Sequence, residues 1–305
     1  MKRLTRIRCW SVVAAVAAVC GLGMTGAGGA AAQPSYSYLD GLAAQLTAPG
    51  PPPGANDWKC RPDAAHPNPV VLLHGLSNDT ITWNTLSPAL ADAGYCVFTT
   101  TYGRDWLGPI GAVTSVQESA RQIAAFIDRV RAATGVSKVD LVGHSMGGAI
   151  GFYYLNHLDG IPKVDDYIAL ASPLHGTDMS GVQTAFADIL GIPAIERKCG
   201  GPCQVGVGSP FLRVINPDPA IAPAIKFTTI VTRYDQIATP YTTGMLRGPN
   251  VRNVVVQDRC ATDYTEHAEL TADPIAVREV LNALRPATAV RPRCTTVLPF
   301  IGPIR

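Results

Sequence analysis

Val139-Asp140-Leu141-Val142-Gly143-His144-Ser145-Met146-Gly147-Gly148-Ala149-Ile150-Gly151-Phe152-Tyr153-Tyr154-Leu155 is the stretch that decides how this 305-residue chain is read. The residues before Gly143 make a short apolar, β-prone run, and those after Met146 place Ile150, Phe152, Tyr153 and Leu155 at helical spacing. A serine on a tight turn between a strand and a helix has its hydroxyl pushed clear of the sheet, and only very small residues fit beside it. Gly143 and Gly147 supply that G-x-S-x-G frame. In a chain with 29 glycines the pattern alone carries little, and its place between a strand and a helix gives it meaning. Ser145 is therefore the candidate nucleophile.

A serine hydroxyl needs a base to take its proton. Of six histidines, His66 and His74 precede the serine, His144 lies inside the turn, His157 is in the helix behind it, and His175 opens a long insertion. On such an elbow the partners follow in the order serine, acid, histidine, each on a loop at the carboxyl end of a strand. His267, in the polar loop Asp263-Tyr264-Thr265-Glu266-His267, fits that place. The acid should follow the preceding strand, Phe227 to Thr232, and Asp235 does so, with Asp258 and Asp263 as the competing carboxylates. Its task would be to accept from the other imidazole nitrogen and fix the tautomer. For an oxyanion, the amide of Met146 is one backbone donor. The run Val70 to Leu73 followed by His74-Gly75-Leu76 offers the amide of Leu76 as the second, with His74 as a loop support.

From Pro69 onward short apolar runs alternate with longer periodic segments, the pattern of an α/β fold with a mostly parallel sheet flanked by helices. Strands are expected near 70–73, 95–101, 138–142, 166–171, 226–232 and 252–257, and helices near 84–93, 115–133, 146–158 and 274–285. Residues 49–54 hold four prolines and two glycines and read as a surface crossing. Residues 172–224 break the rhythm and are too apolar for a solvated loop, which suggests a lid, with ordinary packing as the alternative.

At the amino end, Lys2, Arg3, Arg6 and Arg8 precede an apolar stretch and the run Ala30-Ala31-Ala32, the layout of a secretory signal peptide over 1–32. A single domain over 33–305 then remains, expected to be secreted and monomeric. Setting those four cations aside turns the balance of 25 basic and 23 acidic residues slightly acidic, which gives no footing for a nucleic-acid partner. The leader is too short and too broken by Gly21 and Gly23 for stable membrane insertion, leaving at most transient contact with a lipid interface. Cys9 and Cys20 leave with it, and the other six of the eight cysteines suit disulfides, expected as Cys60 with Cys96, Cys199 with Cys203, and Cys260 with Cys294. Zinc at Cys199 and Cys203 lacks a second close pair of ligands. The acidic residues show no tight cluster along the chain, so no cofactor is expected, and a structural calcium is left open.

His74-Gly75, the elbow at 143–148, Ala171-Ser172-Pro173-Leu174-His175-Gly176-Thr177 and Tyr234-Asp235 recur in an order that resembles the secreted bacterial lipases of the α/β-hydrolase fold called lipase class 2. The likeness spans roughly 70–285. It implies hydrolysis of lipid carboxylic esters, with Ser145, Asp235 and His267 at the triad positions. Leu76, Trp83, Trp106 and the insertion are candidates to line an acyl groove, with core or rim packing as the commoner place for such aromatic residues. A secreted acyltransferase, a polyester hydrolase and a non-catalytic extracellular binding module stand as the alternatives.

Overall fold

A computed structural model describes residues 35–47, 50–104, 110–179, 201–215 and 217–304. The leader, Trp106 and the expected Cys199–Cys203 bridge fall outside the described residues.

Six strands, β1 (Val70–Leu73), β2 (Val97–Thr99), β3 (Val139–His144), β4 (Val164–Leu170), β5 (Lys226–Val231) and β6 (Val251–Val255), pair in the order β2-β1-β3-β4-β5-β6. Every pairing is parallel. The side-chain alternation of a strand divides the core into two layers. Val71 and Leu73 of β1, with Leu141 of β3, face one layer, which they share with Ile123, Ile127, Ile150 and Phe152. Those partners come from helices α3 (Val116–Thr134) and α4 (Met146–His157). Val70, Leu72 and Val142 face the other layer, with Leu86 and Leu90 from α2 (Leu86–Asp92) and Ile275, Val277 and Val280 from the helix Pro274–Leu284. Local signals set the helix ends. Ser115 accepts the Glu118 amide at 3.2 Å and Asp273 accepts the Ala276 amide at 2.6 Å, each satisfying a first-turn donor.

The expected elements are present, with boundaries corrected for physical reasons. β2 is shorter than 95–101 because it is the sheet edge, where Asn56 lies against it: the Asn56 side chain accepts the Thr99 amide at 2.9 Å and donates to the Thr99 carbonyl at 2.9 Å. β6 ends at Val255, where the chain turns helical over Val256–Arg259 instead of running on to 257. Amino-terminal helix α1 (Tyr38–Thr47) and the closing hairpin Val297–Leu298 with Gly302–Pro303 had no sequence expectation. Two expected disulfides are formed, Cys60–Cys96 and Cys260–Cys294.

The described end of the insertion packs as core: Val205, Phe211 and Ile215 join the layer containing α4. Of the two places open to Trp83, groove wall or core, the structure shows the core: it is fully buried in the opposite layer. The expectation of no tight acidic cluster also fails among the described residues. Parallel pairing brings Asp140 of β3 beside Asp165 and Asp166 of β4, with carboxylate oxygens within 4.8 Å of one another. Two cations answer them: Lys138 reaches Asp165 at 2.9 Å, and Lys226 reaches Asp165 and Asp166 at 3.5 and 3.4 Å. This cluster lies at the amino ends of the strands, away from the carboxyl ends where the site forms.

Candidate active site

Between β1 and β3 the strand order reverses direction, and in open α/β sheets ligands bind outside the carboxyl ends of the strands at such a switch point. Ser145 sits there, immediately after β3, with φ +54° and ψ −129°. A non-glycine residue in such a conformation typically costs about 1–3 kcal/mol and persists only where its surroundings over-determine it. Its own amide donates to Leu170 of β4 at 2.8 Å, and the Gly148 amide donates to its carbonyl at 3.1 Å. A Cβ on Gly147 would collide with the carbonyl oxygens of Leu73 and His74, approaching the latter to 2.6 Å. The elbow helix is therefore pressed against the end of β1, a contact only glycine permits. The Tyr167 hydroxyl donates to the Gly148 carbonyl and fixes the same turn from β4.

His267 comes to this serine from 122 residues downstream, with Nε2 2.9 Å from Ser145 Oγ. Its Nδ1 lies 2.9 and 3.0 Å from the two carboxylate oxygens of Asp235. Asp235 Oδ1 also accepts the amides of Ile237 at 2.9 Å and Ala238 at 2.7 Å, so the backbone aims the carboxylate. Both side chains are buried, at 9% and 1% relative exposure. The Nδ1–H that Asp235 requires leaves Nε2 with its lone pair toward the hydroxyl, the tautomer a general base needs. The competing carboxylates do not reach this imidazole. Asp258 pairs with Arg233 at 2.5 Å on the surface. Asp263 is buried against Asp273, and burial raises the affinity of both carboxyls for a proton.

The loop after β1 crosses above the serine. A Cβ on Gly75 would lie 2.9 Å from Ser145 Cβ, so the backbone at Gly75 passes close by Ser145. Met146 begins α4, where the first amides of a helix have no intrahelical acceptor. His74 supports the loop: its Nδ1–H donates to the Gly75 carbonyl at 2.8 Å, and its Nε2 accepts the Tyr102 amide at 3.4 Å. Its ring stacks on Tyr102 at 4.2 Å, and burial lowers its pKa to about 4, which keeps it neutral. From the insertion, Gly201 backs onto Met146, where a Cβ would stand 3.2 Å from Met146 Cε.

Several residues that hold this arrangement were not singled out in the sequence. Thr232 Oγ1 donates to the Thr265 carbonyl at 2.6 Å, and Gln257 Nε2 donates to Thr232 Oγ1 at 2.9 Å and to the Asp263 carbonyl at 3.0 Å. These bonds lash the loop carrying the acid to the loop carrying the imidazole. Glu266 caps the short turn after His267, accepting the amides of Ala268 at 2.7 Å and Glu269 at 2.9 Å. A carboxylate just before a turn start was a legible capping signal. The ties between Thr232, Gln257 and Thr265 join separate segments and left no trace at short range.

A parallel sheet ordered this way, with serine, acid and histidine on successive loops at its carboxyl edge, defines an α/β-hydrolase. The chain matches the family described as Lipase (class 2) over residues 67–279 and belongs to it. It is 31% identical over 154 residues to Lipase 3 of Drosophila melanogaster, an alignment spanning 43% of this chain and 38% of that protein. The chain therefore covers about two fifths of the length of that relative. Among solved structures it is similar in fold to Aspergillus fumigatus lipase B, with a TM-score of 0.56 at 19% identity, covering 74% of this chain and 53% of the other. It is likewise similar to the mature form of Bacillus licheniformis lipase BlEst2, with a TM-score of 0.52 at 18% identity, covering 75% and 95% of the two chains. Among the described residues no helix is long and apolar enough to cross a membrane.

Proposed function

We propose that this protein is a secreted serine hydrolase of carboxylic esters, a lipase acting on triacylglycerols through Ser145, His267 and Asp235. The observation that carries the reading is the continuous hydrogen-bonded line from Asp235 through His267 to Ser145, with each link at 2.9 Å. Membership of the lipase class 2 family supports the ester as substrate class.

In this reading Ser145 Oγ attacks the ester carbonyl while His267 Nε2 takes its proton. The resulting oxyanion is held by the amides of Met146 and Leu76, and removing one such donor typically costs about 3 kcal/mol of barrier stabilisation. Collapse of the tetrahedral intermediate breaks the acyl–oxygen bond, and the alcohol departs with the proton from the imidazolium. Water then enters, activated by the same imidazole, and releases the acid from Ser145. Asp235 steadies the imidazolium at both stages. A lid within residues 172–224 belongs to this account and is supported by the apolar content of that insertion, whose described end, Val205 to Ile215, packs as core. The leader-like residues 1–32 and the two disulfides support export to an oxidising compartment.

A rate profile on p-nitrophenyl esters from acetate to oleate, together with emulsified trioleoylglycerol, tests the substrate class. The account expects turnover of the long-chain esters and the emulsion. Activity confined to acetate and butyrate would contradict the lipase assignment, and faster formation of new ester than of free acid with an added alcohol would mark a transferase.

A further inference from the structure

The elbow's own histidine is buried and takes no part in the proton transfer described above, yet it touches the main chain of His267 and lies under the loop after β1. His144 Nε2 lies 2.9 Å from the backbone carbonyl oxygen of His267, the residue that carries the base, and the two imidazole rings are 4.8 Å apart. The carbonyl can only accept, so Nε2 carries the proton. Nδ1 then holds a lone pair, buried and without a partner among the described residues. That edge of the ring lies under the loop after β1, where a Cβ on Gly75 would come within 3.4 Å of Nδ1. His144 thus sits directly before the nucleophile, below the oxyanion loop, and against the main chain of the base.

We infer that His144 is a positioning residue for the reaction, holding the His267 backbone through its Nε2–H so that the His267 ring stays aligned with Ser145 Oγ. The inference rests on the reading of His267 as the base. The alignment needs such a tie because His267 lies on a loop, and its other direct main-chain bond, its amide to Gln236 Oε1, is long at 3.4 Å. A misplacement of about 1 Å at a reacting group can cost on the order of 10²-fold in rate. The role also demands a neutral ring, since a charged His144 would oppose the imidazolium that forms on His267. Burial secures this by pushing the His144 pKa down to about 3, with the proximity of the His267 ring acting in the same direction, the hydrogen bond to the His267 carbonyl opposing them, and His74 adding a weaker downward push.

Two variants of the full chain separate this role from mere packing. In H144Q the amide nitrogen reaches the position of Nε2, whereas in H144N it stops near that of Nδ1, so the two share chemistry and differ in reach. With matched thermal stability, H144N is expected to lose between about 10- and 100-fold in kcat with little change in KM, and H144Q to recover most of it. Equal kcat in H144Q, H144N and the parent protein would overturn the inference. Should the variants fail to fold, ¹⁵N-edited NMR of the parent protein decides: a neutral Nε2–H tautomer at residue 144 through pH 5 is expected, and an Nδ1–H tautomer or protonation near pH 6.5 would overturn it. Fluorophosphonate labelling of the parent protein is the independent control. Labelled Ser145 with indifferent His144 variants refutes the positioning role alone, whereas an unlabelled Ser145 removes the triad reading and the inference with it.

Discussion

Asp235 holds His267 by both carboxylate oxygens, at 2.9 and 3.0 Å from the same ring nitrogen, while two backbone amides fix Oδ1 from behind. The carboxylate therefore has no freedom to rotate away, and it imposes the tautomer that leaves Nε2 open to the serine.

Replacing Asp235 with asparagine keeps the shape and lets the amide donate where the carboxylate accepted, which favours the wrong tautomer. D235N is expected to lose about 10⁴-fold in kcat with its fold intact. D263N is the matched comparison, because Asp263 is equally buried and was the nearest rival in sequence, yet it faces Asp273. Steady-state kinetics on both should show D263N far closer to the parent protein, and a greater loss in D263N would reassign the acid.

Two glycines make separable predictions. In G147A the new methyl meets backbone oxygens of β1, which cannot move without disturbing the sheet, so stability should fall by about 3 kcal/mol or more in chemical denaturation. In G75A the clash is with Ser145 Cβ at 2.9 Å, on a loop that can shift. The expected result is a folded protein with kcat lower by about 10²–10³, since displacing the loop would move the amide of Leu76, the proposed oxyanion donor.

How much of this was legible in the sequence follows from the range of the interactions. The elbow and the placing of His267 beside Ser145 could be read because each rests on a short pattern or on the order of residues along the chain. Val70 to Leu73 announced β1 because it is buried on both faces and apolar throughout. The part played by Asp140 beside Asp165 and Asp166 could not be read, since it depends on the register of β3 against β4. Trp83 suited either a groove wall or the core in the sequence, and only the fold decides between them by turning its side chain into the core layer opposite α4. Helix α1 was missed because its leading apolar residues do not mark a buried face: Leu39 and Leu42 are exposed.

Acid–base linkage gives a prediction on stability. Glu269 is buried two residues after His267, accepts the Tyr38 amide at 2.9 Å, and has its pKa raised to about 8, chiefly by burial. A carboxyl whose folded pKa is raised stabilises the fold fully below its ordinary value near 4.5, and that contribution is lost as pH rises toward 8. Thermal melts should therefore show Tm falling between pH 5 and pH 9. E269Q, which stays neutral and keeps an oxygen for Tyr38, should flatten that slope, and an unchanged slope would contradict the assignment.

The bridge between Cys260 and Cys294 closes a loop of 34 residues that carries the imidazole. By the chain-entropy relation, removing it should cost about 4 kcal/mol. C260A/C294A is expected to melt well below the parent protein and, below its own melting temperature, to retain kcat, because neither cysteine contacts the triad.

The central claim is that Ser145 becomes acylated with His267 as its base. Rapid-quench mass spectrometry of the intact protein mixed with p-nitrophenyl butyrate, followed by peptide mapping, measures this directly. The account predicts a transient butyryl adduct on the peptide containing Ser145, formed with the burst of nitrophenol, absent in S145A and strongly slowed in H267Q. A burst without an adduct on that peptide, or an adduct forming at the parent rate in H267Q, would contradict it.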